Sequence, residues 1–191
     1  MSVMFYLIMW IVSLKKYYVV KDVLEKFTSK AGQFVEVMDI EEFGHALFID
    51  HEIQVAEKDE KIYSSNFFKS SYDLSKKNNN VAIIGGGDGG VARACLENNS
   101  NYIDWFELDP EIVDACYRHL PKVCSKVKKS NKVKTFWGDA FKSIKEIEDA
   151  KYDKIFVDLN DDQYCIDLAR KNMKGLKRIL KKGGVITAQV G

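Results

Sequence analysis

Gly85, Gly87 and Gly90 follow the spacing G-x-G-x-x-G and come directly after the apolar run Val81-Ala-Ile-Ile84. A glycine turn of this kind brings backbone N–H groups close to a ligand at the start of a helix. Asp88 lies inside the turn. A carboxylate there repels the pyrophosphate that a dinucleotide site places on such a turn, and it suits a cationic ligand instead. Glu107 follows about 20 residues after the glycine turn, at the end of a second apolar run, where an acid accepts hydrogen bonds from ribose hydroxyls. Asp139, in Gly138-Asp-Ala140, sits after a third run. It can accept from the exocyclic amine of adenine, cap a helix, or do both. Asp158 and Asp161, in Asp158-Leu-Asn-Asp161-Asp162, come after a fourth.

In open α/β sheets the ligand crevice lies outside the carboxyl ends of the strands, and all five acids fall at such ends. Gathering like charges is costly unless cations answer them. A metal ion is one answer. A polycationic substrate beside a sulfonium donor is another. Each acid taken singly also has a plain reading, as a solvated strand end, a cap or an acidic loop.

The elements that must hold these residues follow from periodicity and punctuation. Tyr17–Thr28, Gln33–Ile40 and His45–Ile49 are short runs rich in Val, Phe and Ile, separated by Lys30-Ala-Gly32 and by Glu41–Gly44. They predict a small antiparallel β domain. Ser64–Leu74 predicts a linking helix and Ser75–Asn80 a polar loop. From Val81 the pattern alternates between strand and helix. Strands are expected at Val81–Ile84, Tyr102–Phe106, Val133–Trp137, Lys154–Val157 and Gly184–Gln189. Helices are expected after the glycine turn, from Asp109-Pro110 to about Leu120, over Phe141–Ile147 and over Tyr164–Leu180, with a C-cap and turn at Lys181–Gly184. Such alternation predicts an α/β fold, a Rossmann-like doubly wound parallel sheet of the S-adenosylmethionine-dependent methyltransferase type. The expected division is residues 1–65 as the N-terminal β domain and 66–191 as the catalytic domain, which reads as truncated at its C-terminus because such sheets usually carry further strands.

Composition narrows the function. The 191 residues are 46% hydrophobic and 30% charged, and Lys+Arg 29 against Asp+Glu 28 leaves a net charge of +1. That excludes disorder as the main state and provides no bulk basic field for nucleic acid. Cys95, Cys116, Cys124 and Cys165 form no CxxC pair. They read as reduced thiols of a cytoplasmic protein, with no metal site. Val3–Val12 is too short to span a membrane. Its bases, Lys15 and Lys16, follow it, unlike those of a signal peptide. It reads as a terminal strand or an oligomer contact.

At these residues the chain resembles the polyamine aminopropyltransferases, the spermidine and spermine synthase family. Val81-Ala-Ile-Ile-Gly-Gly-Gly-Asp-Gly-Gly-Val91 is similar to that family's glycine-loop signature. Leu47-Phe-Ile-Asp50 and Glu52-Ile-Gln-Val-Ala-Glu-Lys-Asp-Glu60, followed by Tyr63, are similar to its N-terminal sheet and the helix after it. Glu107-Leu-Asp-Pro110, Gly138-Asp-Ala140 and Tyr152–Asp158 follow in the family's order. The resemblance implies transfer of an aminopropyl group from decarboxylated S-adenosylmethionine, a co-substrate rather than a permanent cofactor, to an amine such as putrescine. Gln33, Asp88, Glu107, Asp139 and Ala140 match donor-binding positions, and Tyr63 and its neighbour Ser64 match the substrate side. Asp158 matches the acid that accepts the proton, Asp161 matches a second amine-binding acid, and Trp10 matches an acceptor-site tryptophan.

The sequence departs from the family in places. Ser64 stands where His or Gln is usual, His51 where Gly is usual, and Asp162 where proline is usual, and a following gate loop is missing. The resemblance further implies a homodimer or homotetramer that uses polyamine and nucleoside substrates, with neither nucleic acid nor membrane as partner. Spermine or thermospermine synthesis, an S-adenosylmethionine-dependent methyltransferase and a catalytically weak pseudoenzyme stand as alternatives.

Overall fold

A computed structural model describes residues 5–11, 14–71, 79–160 and 162–189, with side chains from residue 18 onward. The first sheet is an antiparallel meander in chain order. It consists of β1 (Phe5–Ile11), β2 (Leu14–Thr28), β3 (Phe34–Ile40), β4 (Gly44–Ile49) and β5 (Glu52–Ala56). The middle of the Val3–Val12 run is therefore a terminal strand, paired with the start of β2. Asp50 and His51 make the two-residue turn between β4 and β5, both with positive φ (50° and 69°). Such a turn matches the twist of the strands it joins. His51 holds this backbone without being glycine, and its Nδ1 lies 3.0 Å from Glu36 Oε2.

Helix α1 (Glu60–Ser70) begins four residues before the expected Ser64. Its start is hard to read because Asp59, at the N-cap position, makes no side-chain cap. Its Phe68 packs with Val81, Val91, Ala92 and Phe156 of the second layer.

The second sheet contains β6 (Asn80–Gly85), β7 (Tyr102–Glu107), β8 (Val133–Trp137), β9 (Tyr152–Asp158) and β10 (Leu180–Ala188). All pairings are parallel, in the order β10-β9-β6-β7-β8. The chain winds outward from β6 through β7 to β8, then returns to lay β9 on the other side of β6. The doubly wound α/β fold of the sequence reading is thus present, and its topological switch point lies between β6 and β9. That is where such sheets bind ligands.

Side chains alternate across the sheet. Val81 and Ile83 face helix α2 (Gly90–Glu97), while Ala82 and Ile84 face α5 (Ala140–Ser143) and α6 (Gln163–Ile179). Helix α3 (Pro110–His119) starts as expected, with Asp109 accepting from Glu111 N–H at 2.9 Å. Helix α4 (Pro121–Lys128) was not anticipated. It is short and carries Lys122, Lys126 and Lys128, and only Val123, Cys124 and Val127 are buried. Val123 and Cys124, with Ile112, Ala115 and Cys116 of α3, pack against Val35, Val37, Leu47 and Val55 of the first sheet, while Val127 packs into the second layer with Val81, Val91 and Trp105. Helices α3 and α4 therefore bridge the two sheets. No turn separates α6 from β10. The ladder slips between Leu180 and Val185, and Gly183 there takes a φ of +75°. Among the described residues no helix is long and apolar enough to cross a membrane.

Candidate active site

The glycine turn is tight because β9 crowds it. Gly85 (φ +81°) and Gly86 (φ +68°) both need the left-handed region. A Cβ at Gly85 would lie 2.2 Å from the backbone carbonyl oxygen of Asp158. Gly86 N–H donates to that same oxygen at 2.8 Å, and Trp105 Nε1–H donates to the carbonyl of Gly85 at 2.7 Å. The turn is thereby fastened from both neighbouring strands, and its Asp88 and the Asp158 carboxylate are brought to one mouth.

Two cavities of about 330 and 250 Å³ open there, and they share a wall made of Gly86, Gly87, Asp158, Leu159 and Asn160. The larger one takes Gln33 from the turn before β3, Glu107 and Leu108 from the end of β7, and Asp139 and Ala140 from the turn after β8. The smaller one takes Asp88, Tyr63, Glu52, Gln54 and Gln189. Expected residues from six separate stretches of chain therefore meet at the switch point.

Their electrostatics differ. Glu107 is 7% exposed and accepts from Asp109 N–H at 2.9 Å. Burial raises its carboxyl to about 7, against the pull of the Asp109 and Leu108 N–H groups. Asp88 accepts from Gly90 N–H at 2.5 Å. Enclosure in protein, with the Glu60 carboxylate nearby, raises it to about 6. Asp139 is the N-cap of α5 and accepts from Phe141 N–H (2.9 Å) and Lys142 N–H (3.2 Å). It also lines the larger cavity, so the cap is itself part of the cavity wall. Asp158 Oδ1 accepts from the Tyr63 hydroxyl at 2.8 Å, and the same hydroxyl touches the side-chain amide of Gln189.

Not every expected residue arrives. Ser64 is turned away from both cavities. It is fully buried on the inner face of α1, where its Oγ accepts from Arg93 Nη2 at 3.0 Å. A serine one residue from Tyr63 points about 100° around the helix from it, which separates the two. Asp161 and the side chain of Trp10 lie outside the described residues. Residues that the sequence reading did not single out also line the mouth. Gln54, Glu52 and Gln189 face the smaller cavity, and Leu108 and Tyr164 face the larger. Gln54 carried a faint signal, as an amide between Ile53 and Val55 in a strand otherwise suited to burial. Among the described residues no three His, Cys, Asp or Glu side chains gather where they could hold a metal ion.

Residues 60–191 match the family "Spermine/spermidine synthase domain". The chain belongs to the spermine/spermidine synthase family. The polyamine aminopropyltransferase of Methanocaldococcus jannaschii is 36% identical over 144 residues, 74% of this chain and 48% of the relative. That of Korarchaeum cryptofilum is 31% identical over 170 residues, 88% of this chain and 53% of the relative. The chain thus spans about half the length of these members of the spermine/spermidine synthase family. The spermidine synthase of Thermotoga maritima superposes with a TM-score of 0.86 at 19% identity, covering 96% of this chain and 63% of that one. A spermidine synthase in complex with the transition-state analogue AdoDATO gives 0.87 at 18%, covering 96% of this chain and 64% of that one. At such identities these two likenesses speak for the fold.

Proposed function

We propose that this chain transfers the aminopropyl group of decarboxylated S-adenosylmethionine to putrescine, giving spermidine and 5′-methylthioadenosine. The observation that carries this reading is the position of Asp158. It stands in the wall between a cavity lined by Glu107 and Asp139 and one lined by Asp88 and Tyr63. The larger cavity suits a nucleoside, with Glu107 facing the ribose hydroxyls and Asp139 the adenine edge. The smaller suits cations: Asp88 meets the ammonium of the donor, and Asp158 meets the amine that attacks.

The chemistry follows from the charges. An ammonium has no lone pair to give, so the acceptor must lose a proton before it reacts. The Asp158 carboxylate accepts that proton, and the Tyr63 hydroxyl holds the carboxylate toward the amine. The freed nitrogen attacks the methylene beside the sulfonium sulfur. A C–N bond forms, the C–S bond breaks, and its electron pair stays on sulfur as a neutral thioether. Holding both cations beside one another supplies much of the rate. All four cysteines are free thiols, which supports work in the reducing cytoplasm. An apolar β1 at the edge of the first sheet supports assembly into a homodimer or homotetramer.

The test offers putrescine, spermidine and cadaverine together with the decarboxylated donor and reads the products by mass spectrometry. Spermidine from putrescine is expected, and Asp158→Asn is expected to cut turnover about a hundredfold or more while 5′-methylthioadenosine still binds. Methylated products, or turnover unchanged in Asp158→Asn, would overturn the proposal.

A further inference from the structure

We propose that Glu60 and Arg93 form a positioning pair that sets the charge of Asp88, and through it the preference of the site for a cationic donor. This deepens the donor-binding role proposed for Asp88 and rests on it. Glu60 opens α1 and Arg93 lies in α2, so the pair joins the helix that carries Tyr63 to the helix that follows the glycine turn. Both are nearly inaccessible, at 5% and 3% exposure. Arg93 Nη2 donates to both Glu60 oxygens, at 2.9 and 2.7 Å, and Arg93 Nη1 donates to Glu97 at 2.8 Å.

Gly90 is the point where this pair meets the site. A Cβ built there would lie 2.2 Å from Glu60 Oε1 and 2.8 Å from Asp88 Oδ1. Two carboxylates therefore converge on the one residue that puts no side chain between them, and its N–H donates to Asp88. Carboxylates this close repel each other, and a neighbouring cation relieves the repulsion. Arg93 is that cation, donating to both Glu60 oxygens. The other ionisable groups in this surrounding are Glu107 at the end of β7, raised to about 7, and the thiols of Cys116 and Cys124 beneath the turn, which burial keeps protonated. Glu52 and Asp158 line the same cavity as Asp88. Neither Glu60 nor Arg93 lines the two cavities of the site, so they act through Asp88.

The test compares two ligands by calorimetry across pH. Decarboxylated S-adenosylmethionine carries an ammonium for Asp88 and a sulfonium, whereas 5′-methylthioadenosine carries the same nucleoside as a neutral thioether. Hydrogen bonds from the ribose to Glu107 are common to both and cancel in the ratio of affinities, and Glu107, raised to about 7, titrates above the Asp88 midpoint. In the unaltered chain the preference for the charged donor fades as pH falls through about 6. Glu60→Gln removes a like charge and moves that midpoint down. Arg93→Met removes the relieving cation and moves it up, each by about half a unit or more. The neutral pair Glu60→Gln/Arg93→Met returns it toward its original place, and Arg93→Lys leaves it there.

A purely structural role would weaken both ligands together and leave the midpoint unmoved in every variant, which overturns the inference. Should Arg93→Met not fold, Glu60→Gln and Arg93→Lys still decide between a lowered and a fixed midpoint. An unaltered chain that binds both ligands but shows no preference between them overturns the role of Asp88 itself. One that binds neither overturns the reading of the whole site.

Discussion

Asp158 has its carbonyl oxygen tied to Gly86 and its carboxylate to Tyr63, so one residue is fixed at both ends while it faces two cavities. Around it the acids are graded by burial. Glu107 is raised to about 7 and Asp88 to about 6, so each keeps its proton in the folded chain at a pH where the unfolded chain has lost it. Each therefore favours folding most in acid. That contribution fades as pH climbs from the unfolded carboxyl value through the folded one. The expected outcome is that Glu107→Gln flattens the fall in melting temperature of the unliganded protein between about pH 4.5 and 7, measured by thermal scans in matched buffers. An equally steep fall in the variant would show that Glu107 is not the group involved. The residue types of the site were legible in the sequence because strand ends and glycine turns punctuate it clearly. Ser64 was not legible, because which side of α1 faces the cavity depends on Arg93, a partner 29 positions away.

Among the elements, the glycine turn carries the tightest geometry. Gly85→Ala must fit a Cβ against the carbonyl of Asp158 with φ at +81°. It should cost about 3 kcal/mol of stability and remove nucleoside binding, since the β6–β9 seam must open to admit it. Chemical denaturation and calorimetry with 5′-methylthioadenosine check this; a variant that binds as well as the original chain would refute the account. The strands and most helix starts could be read in advance because local signals, such as the Asp109-Pro110 cap, agree with the tertiary result. Helix α4 and the slip in β10 were missed for a common reason. Both are set by packing, α4 by the first sheet and β10 by Asp153 and Leu180 around Gly184, rather than by their own periodicity.

At the scale of the whole molecule, the face of the first sheet and helices α3 and α4 make a continuous apolar core. Leu47, 2% exposed, belongs to it and also lines the smaller cavity. Leu47→Ala is expected to lower stability by about 2 to 5 kcal/mol. Unfolding should remain a single transition followed identically by circular dichroism and tryptophan fluorescence. Two separated transitions would mean that the sheets do not stand or fall together. This union was only partly visible beforehand. Composition and periodicity predicted two sheets, but which helices lie between them depends on contacts far apart in the chain.

The same core places Cys116 and Cys124 along its seam, with thiols that burial keeps protonated, whereas Cys165 lines the larger cavity. The molecule thereby holds two clocks. An alkylating reagent marks the first pair only as fast as the layers part, and it marks Cys165 at a rate that reports whether the cavity beside it is filled. Breathing of the scaffold and occupancy of the site can thus be timed separately in one unmodified chain.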